Sequence, residues 1–247
     1  MRKSKPLVAH EPDAARALDL VMRLMAVPGR SGEEGRVVEL ITTELRRAGA
    51  KARDVETDDV VKRSPLGGEV GNLVFKLPGT FDAPRRLLMA HMDTVPLCVG
   101  CKPRKKGAYV QSADKSTGLG ADDRAGCAVV LTAAMEILRN KLPHPPLTFF
   151  WPVQEEVGLF GAHYGDLTKL GKPKLAFNWD GGAAEKLTVG ATGAYRMTIT
   201  VGGTASHAGG TPERGVSAIT IASLAVADLH QNGWLGLVLK NGVRGTA

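Results

Sequence analysis

The segment Leu147-Thr148-Phe149-Phe150-Trp151-Pro152-Val153 is an almost unbroken apolar run, and it ends directly on Gln154-Glu155-Glu156. A strand that is apolar at successive positions, with no alternation, belongs in a sheet covered on both faces. Two adjacent acids just beyond it are costly to bury unless they are solvated, paired or bound to a metal. The run therefore points to an α/β architecture and marks its own end as a place for chemistry. An exposed loop is the plain alternative.

The same arrangement recurs along the chain. Asn72–Leu77 and Arg86–Ala90 read as strands, the second ending at His91, and Lys174–Asn178 reads as a third, ending just before Asp180. Helical spacing covers Pro12–Val27, with Pro12 suited to the first turn, and a second helix that opens at Ser31 and closes at Gly49. Glu34, three residues after Ser31, completes a capping-box pattern. Asp123–Leu138 reads as a further helix. Strands separated by helices predict a mostly parallel sheet flanked by helices, and groups at strand carboxyl ends lie where open α/β sheets place their sites.

From about Leu187 the character changes. Ala194–Val201 alternates, predicting a strand with one exposed face, and a Gly- and Ser-rich loop over Gly202–Pro212 leads into an apolar helix over Glu213–Leu229. Two domains are expected, residues 1–186 and the beginning of a smaller α+β domain over 187–247.

Composition excludes several classes. The chain of 247 residues is 43% hydrophobic, enough for a full core. It holds no apolar run of about 18 residues, so no membrane-spanning helix is expected. The start, Met1–Pro6, is basic but lacks the apolar stretch of a secretory signal. Three cysteines form no disulfide framework and favour a reducing cytoplasm. The net charge of +7 raises the question of nucleic acid. Its densest cluster, Lys102, Arg104, Lys105 and Lys106, reads as a solvated loop with no recognition helix, zinc finger or aromatic-studded basic strand beside it. No nucleic-acid partner is expected, since only charge supports one, and salt-dependent DNA or RNA binding is what would revive that reading. Cys98-Val99-Gly100-Cys101 is a lone CxxC; Lys102-Pro103 offers no following helix for a redox motif, and a structural zinc would need two more ligands.

Four patches carry candidate chemistry. In His91-Met92-Asp93 a carboxylate stands two residues from an imidazole whose tautomer it can fix, although a structural histidine reads equally well. Asp122-Asp123 stand at a helix start, where Asp serves as a cap or, alternatively, Asp122 bridges two metals while Asp123 begins the helix. In Glu155-Glu156 one carboxylate can ligate while its neighbour acts as a base. Asp180-Gly181 is an ordinary turn pair or another acid at a strand end. Together they supply what a two-metal hydrolase needs.

The order HMDTVP, GADDRAG, QEEVG, WDGG and SHAGGTPERGVSAI, running from about Val27 to the last residue, resembles the co-catalytic zinc peptidases related to peptidase T. That group also holds carboxypeptidase G-type enzymes and acyl-amino-acid deacylases. The resemblance implies a zinc-exopeptidase-like catalytic domain, a dimerisation or lid domain, a homodimer in the full-length form, and two zinc ions. It implies that His91 and Asp180 ligate one zinc, that Asp122 bridges both and is followed by a cis peptide bond, and that Glu156 ligates the other. Asp93 would orient His91, and Glu155 would be the general base. His207 would reach the partner subunit's site and stabilise the oxyanion. Asp rather than Glu at position 180 favours the peptidase T branch, an aminopeptidase acting on short peptides, over deacylase or carboxypeptidase chemistry. His10, His144, His163 and His230 match no motif. The family's last ligand, a histidine near its end, has no counterpart here. A fragment that binds the His91–Asp180 metal better than the other is therefore expected, or an inactive remnant serving in binding or assembly.

Overall fold

The computed structural model describes residues 10–191, 193, 195, 197–240 and 243–246. Residues up to Lys186 form one compact unit and residues from Leu187 a second. Helix α1 (Ala14–Ala26) starts after Asp13, whose side chain accepts the Arg16 N–H at 3.0 Å, so Pro12 precedes the cap rather than entering the first turn. Helix α2 (Gly35–Ala48) buries Val37, Ile41 and Leu45 and ends on Gly49, which takes a left-handed conformation (φ 110°) that glycine adopts without penalty. The expected capping box does not form. The helix starts at Gly35, Glu34 makes no side-chain cap, and the Ser31 hydroxyl is engaged by Asp93 at 2.7 Å.

Strands β1 (Val55–Thr57), β2 (Leu73–Leu77) and β3 (Arg86–Met89) follow, then a hairpin of β4 (Pro103–Lys106) and β5 (Tyr109–Ser112). Arg104, Lys105 and Lys106 of the basic cluster thus lie on a two-stranded ribbon rather than in a loop, its turn made by Gly107 at φ 60°. Helix α3 (Ala121–Asn140), strand β6 (Leu147–Trp151), the short α4 (Phe160–Tyr164) and strand β7 (Leu175–Asn178) complete the first unit. The central sheet has the order β1-β2-β6-β3-β7, with β6, β3 and β7 mutually parallel and β1 and β2 antiparallel on one side.

All five residues of β6 are buried, as its apolar run requires. Phe75, Phe149 and Trp151 stack at 5.6 and 6.2 Å between centroids, on the face where Leu20, Ile41, Leu45 and Leu131 from the three long helices pack. On the other face Val74, Leu87, Phe150 and Leu170 form a smaller cluster. The middle strand β6 is therefore covered on both faces, whereas β7 at the sheet's edge is exposed along its length.

In the second unit, α5 (Ala218–Gln231) is capped by Ser217, which accepts the Thr220 N–H at 3.1 Å. It begins later than its apolar pattern predicts, because Pro212–Arg214 forms a 3-10 turn and Gly215 is extended. Strands β8 (Leu237–Lys240) and β9 (Val243–Thr246) pair antiparallel. Of the strand expected over Ala194–Val201, the described residues 195 and 197–201 belong to no strand, since alternation supplies a face but a strand also needs a partner; 194 and 196 lie outside the described residues. So does the basic start Met1–Pro6. Among the described residues no helix is long and apolar enough to cross a membrane.

Candidate metal centre

Register brings the site together. Met89 pairs with Asn178 across β3 and β7 and with Phe150 across β3 and β6. Pairing continues past the strand ends, with Met92 N–H donating to Pro152 O at 2.9 Å and Trp179 N–H to Met89 O at 3.0 Å. His91 and Asp180 therefore each follow two residues beyond a matched pair, side by side at the carboxyl edge, with Glu155 beyond β6. The fourth contributor comes from the start of α3, where Asp122 and Asp123 are non-helical and joined by a cis peptide bond. Gly126 in the next turn must be glycine, because a Cβ there would meet the Trp179 carbonyl oxygen and the Asp123 carboxylate.

His91, Asp122 and Asp180 can each present a ligand atom within 4.8 Å of the other two. The imidazole is 3% exposed, whereas Asp122 is open to solvent at 69% of its side chain. His91 Nε2 stands 3.2 Å from Asp122 Oδ1 and 3.7 Å from Glu155 Oε2. Its Nδ1 lies 3.1 Å from the Asp93 carbonyl oxygen and 3.4 Å from Asp93 Oδ1. An Nδ1–H held on Asp93 leaves the Nε2 lone pair facing the carboxylates, the arrangement in which a histidine ligates a metal. Glu156 is not part of the three-residue group; its backbone N–H, like that of Glu155, donates to Asp93. His207 lies in the second unit, exposed, with Nδ1 accepting the Gly209 N–H at 3.1 Å.

Electrostatics fit a cation. Burial raises the Glu155 carboxyl above its ordinary range, and the charges of Asp180, Asp93 and Asp122 add to that against the opposing pull of His91. Glu156 is raised too, by burial and then by Asp122, Glu155 and Asp93, again opposed by His91. Burial opposes charge on His91, yet Asp93, Asp123 and Glu155 outweigh it and push the imidazole up to about 9. Asp123, which accepts the backbone N–H groups of His91 and Gly126, is pushed up to about 8 by burial. So many acids around one imidazole repel one another, and a divalent ion relieves that repulsion.

Several contributors were not legible as such. Ser31 binds Asp93, Glu34 accepts the Gln154 N–H, and the buried Arg124 guanidinium bonds the carbonyls of Leu24 and Gly29 at 2.8 and 3.0 Å, tying the end of α1 to α3. An Arg directly after two acids at a helix start was the one available signal. Cys98, Cys101 and Cys127 are free thiols. A cavity of about 50 Å³ borders the cluster, lined by Met89, Val153, Leu159 and Asn178 beside Glu155 and Asp180. The much larger groove of about 660 Å³ between α1 and α3 contains none of the site residues.

Residues 72–206, more than half of the chain, match peptidase family M28, and residues 189–239 match a peptidase dimerisation domain. An uncharacterized protein of Bacillus subtilis (strain 168) is 30% identical over 87% of this chain and 56% of its own length. Carboxypeptidase G2 of a Pseudomonas species (strain RS-16) is 35% identical over 66% of this chain and 40% of its own. Among solved structures, a tripeptidase from Staphylococcus aureus superposes with a TM-score of 0.68 at 27% identity, covering 88% of this chain and 57% of its own. Aminopeptidase PepT from Bacillus cereus gives 0.65 at 28%, covering 94% and 59%. The chain spans between 40% and 59% of the length of these relatives. It belongs to peptidase family M28, and its residues 189–239 match a peptidase dimerisation domain.

Proposed function

We propose that this chain carries the catalytic core of a metal-dependent exopeptidase that hydrolyses short peptides, in the manner of an aminopeptidase or tripeptidase. The observation that carries this reading is the meeting of His91, Asp122 and Asp180 at the strand edge, with Glu155 beside them. The donor set suits zinc, one imidazole nitrogen and carboxylate oxygens. His91, Asp122 and Asp180 would hold one ion, and Asp122 with Glu156 would contribute to a second. Such ions, when bound, acidify water and polarise a scissile carbonyl.

The chain's own residues do the rest. Asp93 holds His91 in the ligating tautomer. Glu155 takes a proton from the attacking water and delivers it to the leaving amine, a task helped by its raised pKa. His207, acting from a second subunit, would steady the developing oxyanion, consistent with a dimerisation domain over 189–239.

The discriminating experiment is metal analysis with a panel of tripeptides and acyl-amino acids, on this chain and on a full-length relative. Metal-dependent release of an amino-terminal residue is expected. Cleavage of acyl-amino acids instead would favour deacylase or carboxypeptidase chemistry, the reading that the likeness to carboxypeptidase G2 keeps in view. Metal uptake without hydrolysis would favour a binding or assembly role.

Metal uptake is expected to expel a proton. With His91 raised to about 9, the metal-free imidazole is protonated at pH 7, so affinity climbs with pH by up to about tenfold per unit until about pH 9. The sign for stability is opposite: charge on His91 stabilises the metal-free fold fully below its unfolded pKa, and that contribution is lost as pH rises through 9. Calorimetry in buffers of different ionisation enthalpy reads the proton directly. A pH-independent zinc affinity between 6 and 8 would contradict this account.

A further inference from the structure

Three consecutive backbone N–H groups at the end of β6 are received by two buried carboxyls from distant parts of the chain. Gln154 N–H donates to Glu34 Oε1 at 3.1 Å, while Glu155 and Glu156 N–H donate to Asp93 Oδ1 and Oδ2 at 2.9 and 3.1 Å. Gln154 has a left-handed backbone (φ 56°), which a residue with a side chain keeps only when its surroundings hold it there. Its side chain is gripped at both ends, accepting from Ser64 Oγ at 2.5 Å and donating to the Gly67 carbonyl at 2.6 Å.

Glu34 is an expensive way to start a helix. It is fully buried, and Oε1 also accepts the Gly32 N–H at 2.9 Å while Oε2 has no hydrogen-bond partner. Burial, reinforced by the charge of Asp93, pushes its carboxyl up to about 7. A helix start asks only for a short side chain that caps it, and Glu34 makes no such bond. Its Oε1 is shared between the Gly32 N–H beside the helix and the Gln154 N–H of the turn that launches Glu155.

We propose that Glu34 is a positioning residue for Glu155: by anchoring the Gln154 N–H it fixes the left-handed turn from which Glu155 and Glu156 leave the sheet, and so sets where the Glu155 carboxylate stands beside His91. The proposal rests on Glu155 acting as the base. It gives the buried acid a purpose that helix initiation does not.

The test compares Glu34→Ala, Glu34→Gln and Glu34→Asp in the whole chain, by hydrogen exchange of the metal-free protein and by steady-state kinetics. Gln keeps a neutral acceptor facing both N–H groups, Ala removes it, and Asp withdraws it by one methylene should the Ala variant fail to fold. Ala is expected to speed exchange at residues 154–156 by about tenfold or more, with the amides of β2 little changed, because the opening is local. It should lower kcat by about 10- to 100-fold with KM within about threefold, as misplacement of a reacting group does. Gln should restore both. Unchanged exchange at 154–156, a rise spread evenly over β2 and β6, or a Gln variant as impaired as Ala would each overturn the proposal. Localised exchange with rescue, in a wild-type chain that cleaves no peptide, would support the anchoring of this turn and sink the hydrolase reading instead.

Discussion

Glu155→Gln is expected to lower turnover by about two to four orders of magnitude while leaving metal content unchanged. The substitution keeps the side chain's size and the backbone N–H that donates to Asp93 at 2.9 Å. It removes the negative charge and with it the capacity to accept and return a proton. The Glu155 carboxylate stands 3.7 Å from His91 Nε2 and lies outside the three-residue ligand group, so losing its charge should leave that group able to bind. Zinc stoichiometry by atomic absorption, beside kcat on a tripeptide, separates the two effects. Turnover within a few-fold of wild type would remove Glu155 from the mechanism and leave Glu156 or an external base to be sought.

The second large effect is expected at Asp93. Its carboxylate is fully buried and receives Ser31 Oγ at 2.7 Å, the N–H groups of Glu155 and Glu156, and the His91 imidazole. Asp93→Asn turns one acceptor oxygen into a donor that confronts other donors, at a cost of about 3 kcal/mol in stability. The same change takes the carboxylate charge from beside His91 Nδ1 while the Asp93 backbone carbonyl at 3.1 Å still holds the tautomer, so metal affinity should fall by about tenfold.

The linkage has a definite sign as well. Burial would raise the Asp93 carboxyl, but the bonds from His91, Ser31 and Glu155 bring it below its ordinary value. Its contribution is therefore present above the unfolded pKa and lost as pH falls through the folded one. Urea unfolding of the metal-free proteins at neutral pH and in acid should show the gap between wild type and Asp93→Asn shrinking in acid. Equal stability at neutral pH would mean that the network is not held together by Asp93.

The legible part of the site was the part that sits on regular elements. The β6 run announces a strand buried on both faces, and it is one. His91 and Asp180 were readable because each comes two residues after the end of a strand with an apolar pattern, at the carboxyl edge of the sheet. Ser31 and Glu34 were misread for a physical reason: a capping box and a long-range acceptor network use the same residue types at the same spacing. What separates them is whether Asp93 and Gln154 lie within reach, and nothing in residues 31–34 contains that information. Among the described residues of the strand expected over Ala194–Val201, 195 and 197–201 join no strand for a similar reason, since alternation describes one segment while a strand requires two.

Local pattern alone therefore determined helices α1, α2 and α3, strands β2, β3, β6 and β7, the burial of β6 and the kinds of donor at the carboxyl edge, because side-chain periodicity and strand-end chemistry act over a few residues. Tertiary structure decided which donors meet. The parallel register that sets Met89 against Asn178 brings His91 to Asp180, and the packing of α2 and α3 delivers Glu34 to Gln154 and Asp122 to His91. These contacts join residues from 31 to 120 positions apart, and their energies depend on burial and mutual distance that no local stretch of chain specifies.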